Sequence, residues 1–323
     1  PPQVFEGRRV CFASGRVHPG ETPGQFAFLG LLQFLVSDDP RAILLRRSFV
    51  FKLIPMMNPD GVSWGHSRTN SLGFDLNRCY AQPTAEEHEV VYSVKIQLLE
   101  WSRRGSLCWY TDMHAHGKDR GCFLYGNLQD NDEDFYWSVA YGHACQMNCP
   151  HLDIDKCLWS TAPQPKEGQT DYDSGRGAIG RCCKLPLAYT LECNYNTGRL
   201  CRPVADPPSV PAHFAGTQTV REHGVPRDPA AGGRFSPVTY DPCSWAAVGE
   251  ALAVSVLDMQ ADNPHSRLLV GRPPKLIAEV GGRTSAERAH QHDVLRRLDD
   301  YWEQLGKRHR TAGSTLARAT AVA

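Results

Sequence analysis

The chain of 323 residues is long enough for one large domain or two ordinary ones, and with 41% hydrophobic residues it can bury a substantial core. Lysine plus arginine and aspartate plus glutamate each total 35, so no overall field recruits nucleic acid or a membrane surface, and no apolar run reaches membrane-spanning length. Twelve cysteines without a CxxC pair read as free thiols in a reducing compartment, because disulfide scaffolds belong mainly to much shorter secreted chains.

The sequence opens "PPQVFEG", with neither an initiator methionine nor an apolar signal region, and reads as a fragment. Residues 10–13 form a short apolar run ending in Ser-Gly, the pattern of a buried strand that stops at a loop. Thr22 and Pro23 read as N-cap and first residue of a helix, with Phe28, Leu31, Leu32 and Leu35 at helical spacing until Asp39-Pro40 stops it. His18 and Glu21, in "SGRVHPGETPGQFAFL", therefore sit on a strand-to-helix loop. Residues 49–54 give a second strand, broken by the turn Asn58-Pro59-Asp60-Gly61. Thr84 with Glu87 makes a capping box ahead of a helix with the face Val91, Val94, Leu98 and Trp101. Residues 107–112 form another strand, which delivers "DMHAH" at its end.

In "GHACQMNCPH", His143, Cys145, Cys149 and His151 are donors for a structural zinc, but no second ligand pair with zinc-finger spacing follows, and a helix with two buried thiols is the expected reading. "LAYTLE", residues 187–192, is a strand closing on Glu192. Residues 197–243 are rich in proline and glycine and read as an irregular insertion. Ser244 then caps a helix with the face Trp245, Val248, Leu252, Val256 and Met259. The domain reading is one catalytic unit over residues 1–260 and a tail over 261–323, partly helical or disordered. Alternating buried strands and helices give an α/β fold, a mixed, mostly parallel central sheet covered by helices.

In such sheets ligands bind beyond the carboxyl ends of the strands, and His18, Glu21, His114 and Glu192 all fall there. A catalytic zinc takes three protein ligands from His, Asp and Glu and keeps one position open. His18, Glu21 and His114 meet that need, leaving Glu192 as general base and acid. His116 competes with His114, since alternate residues of a strand share a face and spacing alone does not choose. Asp75, in "FDLNR", can fix the tautomer of a ligand histidine. Asn77 and Arg78 can grip a carboxylate, and Arg68 can stabilise a developing oxyanion.

Together "RVHPGET", "MNPDGV", "DLNR", "DMHAHGKDRGCFLYGN" and "YTLECNYNTGR" resemble the zinc metallocarboxypeptidase family, in its cytosolic carboxypeptidase branch, over about residues 8–265. The resemblance implies one Zn²⁺ held by His18, Glu21 and His114, the first histidine of DMHAH being preferred. It further implies Glu192 as general base, Arg68 as oxyanion residue, and Asn77 with Arg78 as the clamp on the terminal α-carboxylate. Arg176, in "DYDSGRGAIG", matches the arginine that pairs with an acidic side chain in the specificity pocket.

The implied activity is removal of glutamates, including branch-point γ-linked ones, from polyglutamylated tails such as those of tubulin on microtubules, in the cytoplasm and nucleus. The resemblance also implies a β-sandwich domain and further strands ahead of the chain's start, so the fold reads as truncated at its N-terminus. An inactive relative that binds glutamate-rich tails would need the arginines but not Glu192. A deacylase of the amidohydrolase type shares His-x-x-Glu and a later histidine, but not the DLNR and NPDG context.

Overall fold

The structure, a computed structural model, describes residues 5, 7–160, 173–201, 204, 237–260 and 263–266. Eight strands are present among them: β1 (Arg9–Gly15), β2 (Phe49–Ile54), β3 (Leu107–His116), β4 (Cys122–Asn127), β5 (Leu158–Ser160), β6 (Ala188–Asn194), β7 (Thr197–Arg199) and β8 (Pro237–Thr239). The helices are α1 (Thr22–Val36), α2 (Pro40–Ser48), α3 (Pro59–Ser63), α4 (Glu89–Arg103), α5 (Asp132–Asn148), α6 (Gly175–Cys183) and α7 (Pro242–Asp258), with a short 3₁₀ turn at Leu76–Arg78.

The main sheet runs β2-β1-β3-β6-β4-β5, and only the β4–β6 pairing is antiparallel. This is the mixed, mostly parallel sheet expected, and its strands are apolar because both faces are covered. On one face α1, α5 and α7 bury Phe28, Leu31, Trp109, Tyr141, Tyr189, Val248 and Leu252; on the other, α4 and α6 bury Val91, Leu98, Tyr110 and Ile179. Among the described residues no helix is long and apolar enough to cross a membrane.

Several boundaries differ from the sequence reading. The N-cap of α1 is Glu21 rather than Thr22, and its carboxylate makes no capping bond because it is used elsewhere. Asp39-Pro40 ends α1 but opens α2, where the Asp39 carboxylate accepts from Arg41 N. Asn58 likewise caps a short helix at what reads as a turn, accepting from Gly61 N. The Thr84–Glu87 turn forms, with Glu87 N donating to Thr84 Oγ1 at 3.3 Å, yet α4 starts only after His88. Asp241, not Ser244, is the N-cap of α7; Ser244 closes the box from the third helical position. The ends of the 197–243 insertion pair as the antiparallel strands β7 and β8, and residues 202–203 and 205–236 lie outside the described residues, as does nearly all of the 261–323 tail.

All twelve cysteines are free. Burial pushes the Cys145 thiol up to about 12, and Cys149 is raised by burial as well. These are core thiols, and the donors His143, Cys145, Cys149 and His151 do not gather into a metal-sized group.

Candidate metal and catalytic centre

Parallel pairing of β1, β3 and β6 brings their carboxyl ends to one edge of the sheet, and the site forms there. His18 and Glu21 lie on the loop from β1 to α1. The first turn of α1 packs directly on β3, and Gly24 permits this because a Cβ there would stand 2.9 Å from His114 O and closer still to Met113 O. That approach lets Glu21 reach across: its Oε2 accepts from Ala115 N at 2.9 Å and meets His114 Nδ1 at 2.8 Å. Its Oε1 meets His18 Nδ1 at 2.7 Å. Glu21 also occupies the N-terminal end of α1, where the helix dipole favours an anion.

The outer ring nitrogens are held by carboxylates. His18 Nε2 lies 2.9 Å from Asp75 Oδ1, and His114 Nε2 lies 2.8 Å from Asp112 Oδ2. Ser14 Oγ in turn donates to Asp112 Oδ1 at 2.8 Å. A carboxylate at each Nε2 can hold the ring proton there, which leaves both Nδ1 atoms, 3.2 Å apart, able to turn their lone pairs toward a cation beside Glu21. Lone pairs and an anion so placed repel one another unless a proton or a cation stands between them.

Ligand atoms of His18, Glu21 and His114 lie within 4.8 Å of one another, the one such group of three among the described residues. Two imidazole nitrogens and a carboxylate form a donor set suited to zinc, so the residues fit the ion that the sequence implies. His116 is outside the group; its Nδ1 accepts from Asp119 N at 2.8 Å.

Electrostatics agree with the geometry. Burial opposes the charged form of His114, but Asp112 and Glu21 outweigh it and raise the imidazole well above its ordinary value. Burial likewise opposes ionisation of Glu21, and His114 and His18 outweigh it, holding the carboxyl well below the usual carboxylate range. Asp75 is held down to about 2 against burial by His18, Arg68 and Arg78. The pocket thus draws positive charge.

Glu192 pairs in register with His114 across the β3–β6 ladder. Its Oε2 is buried with no hydrogen-bond partner, and burial pushes the carboxyl up to about 7. A carboxyl poised near neutrality can both take and return a proton.

The predicted substrate-holding residues are spread around this centre. Arg68 Nε donates to Asp75 Oδ2 at 2.7 Å, and its side chain is 48% exposed. Asn77 lies inside, its Nδ2 3.4 Å from His114 Nε2 and its Oδ1 accepting from Gly175 N at 2.8 Å. Arg78 Nη1 donates to Asn77 O at 2.9 Å. Arg176, in the first turn of α6, is buried, and its Nη1 donates to Gly126 O at 2.6 Å and Asn127 Oδ1 at 2.9 Å. Asp171 and Tyr172, which precede it in the sequence, lie outside the described residues. A cavity of about 880 Å³ opens at the other end of the sheet, near Arg9, Lys52, Ile96 and Ser106, and contains none of the predicted site residues.

Sequence reading missed Asp112 and Ser14. Asp112 is detectable in principle, because on a strand it shares a face with His114 two residues on.

Residues 3–103 match the family model described as Zinc carboxypeptidase. Cytosolic carboxypeptidase-like protein 5 of Danio rerio is 32% identical over 84% of this chain and 41% of its own length, and that of Homo sapiens is 31% identical over 85% and 40%. Cytosolic carboxypeptidase 6 of Caenorhabditis elegans is 42% identical over 60% of the chain. The chain therefore spans about two fifths of the length of the curated relatives it matches. Among solved structures, a metallo-carboxypeptidase from Burkholderia cenocepacia shares the fold at TM-score 0.56 and 21% identity, covering 80% of this chain and 58% of the other. A metallo-carboxypeptidase from Pseudomonas aeruginosa, in complex with (2-guanidinoethylmercapto)succinic acid, superposes at TM-score 0.54 and 20% identity, covering 80% and 59%. The chain belongs to the zinc carboxypeptidase family, with cytosolic carboxypeptidases as its curated homologues.

Proposed function

We propose that this chain is a zinc-dependent metallocarboxypeptidase that removes glutamates, including branch-point γ-linked ones, from polyglutamylated proteins such as tubulin. Its place of work in this reading is the cytoplasm, at microtubules and in the nucleus. The observation that carries the catalytic part is the convergence of His18 Nδ1, Glu21 and His114 Nδ1 beside an unpartnered Glu192 oxygen. A module that only binds tails would have no use for a carboxylate with a buried, unpartnered oxygen beside the ligand group.

His18, Glu21 and His114 would hold the ion, which supplies Lewis-acid polarisation of the scissile carbonyl and acidifies water. Glu192 takes the proton of the attacking water and delivers it to the departing amine. Asn77 and Arg78 hold the terminal α-carboxylate, fixing which carbonyl is presented. Arg68, half-exposed and held by Asp75, stabilises the oxyanion, a contribution of about 3 to 4 kcal/mol when a single donor of this kind is removed. Arg176 places positive charge for the acidic side chain from a buried position, so a neutral residue in its place would forfeit selectivity more than turnover.

The test is mass spectrometry of peptides ending in α-linked or γ-linked glutamate, with and without a chelator. Loss of glutamate that stops with the chelator and returns with zinc supports the reading. Zinc bound without any mass loss favours the tail-binding module, and loss of an acyl group favours a deacylase.

A further inference from the structure

The loop that carries His18 and Glu21 is held at almost every carbonyl. Gly15 O accepts from Met57 N at 2.9 Å, Val17 O from Asn58 Nδ2 at 3.4 Å, and His18 O from Glu21 N at 3.2 Å. Two further bonds come from side chains that touch neither ligand ring. Arg16 Nε donates to Pro19 O at 2.8 Å, and Tyr195 Oη donates to Gly20 O at 3.3 Å, alongside Thr22 N at 3.0 Å. Consecutive carbonyls between the two candidate ligands are thus gripped by two different segments, one residue just after β1 and one just after β6.

We propose that Arg16 and Tyr195 are positioning residues that clamp the ligand loop, fix the spacing of His18 and Glu21, and so set how firmly the chain retains its metal ion. This rests on the reading that His18, Glu21 and His114 hold zinc.

Three observations support it. Arg16 has φ +56°, a left-handed backbone that a residue with a Cβ adopts only against a steric cost, and such strain persists where the surroundings demand it. Tyr195 follows Glu192 by three residues yet bonds to a loop 175 residues away in sequence, so it ties the strand of the candidate base to the loop of the ligands. The two bonded oxygens, Pro19 O and Gly20 O, are consecutive and lie between the two candidate ligands, so both bonds bear on the spacing of His18 and Glu21. Neither side chain bonds to a ligand ring; Asp75 and Asp112 do that. The clamp acts on backbone, at the two carbonyls that lie between the candidate ligands.

The experiment measures zinc affinity of the whole chain by chelator competition, together with thermal unfolding of the zinc-free protein, for wild type, Tyr195→Phe and Arg16→Gly. Tyr92→Phe, on the exposed face of α4, is the control. Each site variant is expected to bind zinc about tenfold more weakly, the lower end of what loss of an outer-shell partner costs. Arg16→Gly also relieves the left-handed strain, so its zinc-free form should melt at or above the wild-type temperature while its zinc affinity falls. A merely structural arginine would lose stability and affinity together. In turnover assays Tyr195→Phe should lower kcat and leave KM within about twofold, since it moves the base and ligands rather than the substrate clamp.

Zinc affinities of both variants equal to wild type would overturn the clamp while leaving the metal site standing. An affinity loss in Arg16→Gly matched by equal destabilisation of its zinc-free form would also overturn it. A wild-type chain that takes up no zinc would overturn both the clamp and the reading beneath it.

Discussion

The two ends of α1 show opposite ways of using close packing. Beyond its first turn, the helix lies against α7 through glycines: a Cβ on Gly249 would strike Ala27 O, and one on Gly30 would strike Ala246 O. That contact is apolar and set by shape, with Ala27, Leu31, Val248 and Leu252 buried around it. At the other end Gly24 achieves an equally close approach to β3, but it presses together two imidazoles and a carboxylate. The first contact gains stability from burial. The second places donor atoms that oppose one another until a cation joins them. One helix therefore both anchors the fold and aims the site, and the two ends should respond differently to substitution.

The largest difference should come from Glu192→Gln. It removes the base without touching the ligands, so turnover should fall by about 10²- to 10⁴-fold while bound zinc, measured by atomic absorption, stays at the wild-type level. Residual cutting at the wild-type rate would remove Glu192 from the mechanism. Next, Gly249→Leu should push α7 off α1, an overpacking cost of about 3 kcal/mol, read as a lower denaturation midpoint. If the packing end and the site end are separable, the folded fraction of that variant should retain zinc.

Asp112→Asn should weaken zinc binding by about 10- to 100-fold, since it releases His114 from its fixed tautomer, and chelator competition would show it. Equal affinity would mean that backbone alone orients the ring. A smaller, pH-dependent effect follows from the raised His114 value. The zinc-free chain binds a proton there, and that contribution to stability is fully present below the unfolded histidine value and is lost as pH rises through the folded one. Zinc must displace this proton, so calorimetry in buffers of different ionisation enthalpy should detect proton release on binding, and affinity should rise with pH. For catalysis the raised Glu192 carboxyl sets the acid limb: activity should fall as pH drops through about 7, or somewhat lower once a divalent cation stands nearby and favours the carboxylate. The smallest effect is expected for His116→Ala, which should leave zinc affinity within about twofold because this ring serves the Asp119 turn instead.

Much of this was legible in the letters, for a physical reason. Parallel strands that are buried on both faces write themselves as apolar runs, and the residues just past those runs gather on one edge whatever their sequence separation. His18, Glu21, His114 and Glu192 were therefore visible as neighbours from strand ends alone, although β3 and β6 each run further than the apolar letters suggest. Helix starts were less legible. Thr22 outranks Glu21 as a cap by side-chain chemistry, but the Glu21 carboxylate is committed to His18, His114 and Ala115, so tertiary demand decides. The pattern reading also passed over α2, because Asp39-Pro40 is a stop and a start in the same two letters. Tyr195 and Arg16 had no local signature: one bond closes across 175 residues, and the other comes from a residue whose left-handed backbone nothing in "SGRVH" announces.

The central claim is that one cation sits among His18, Glu21 and His114, and anomalous scattering at the zinc edge from crystals of the zinc-loaded protein tests it most directly. The account predicts a single strong peak about 2.0 to 2.2 Å from His18 Nδ1, His114 Nδ1 and a Glu21 carboxylate oxygen. A map with no peak there, or with its strongest peak among Cys145, Cys149 and His151, would contradict it.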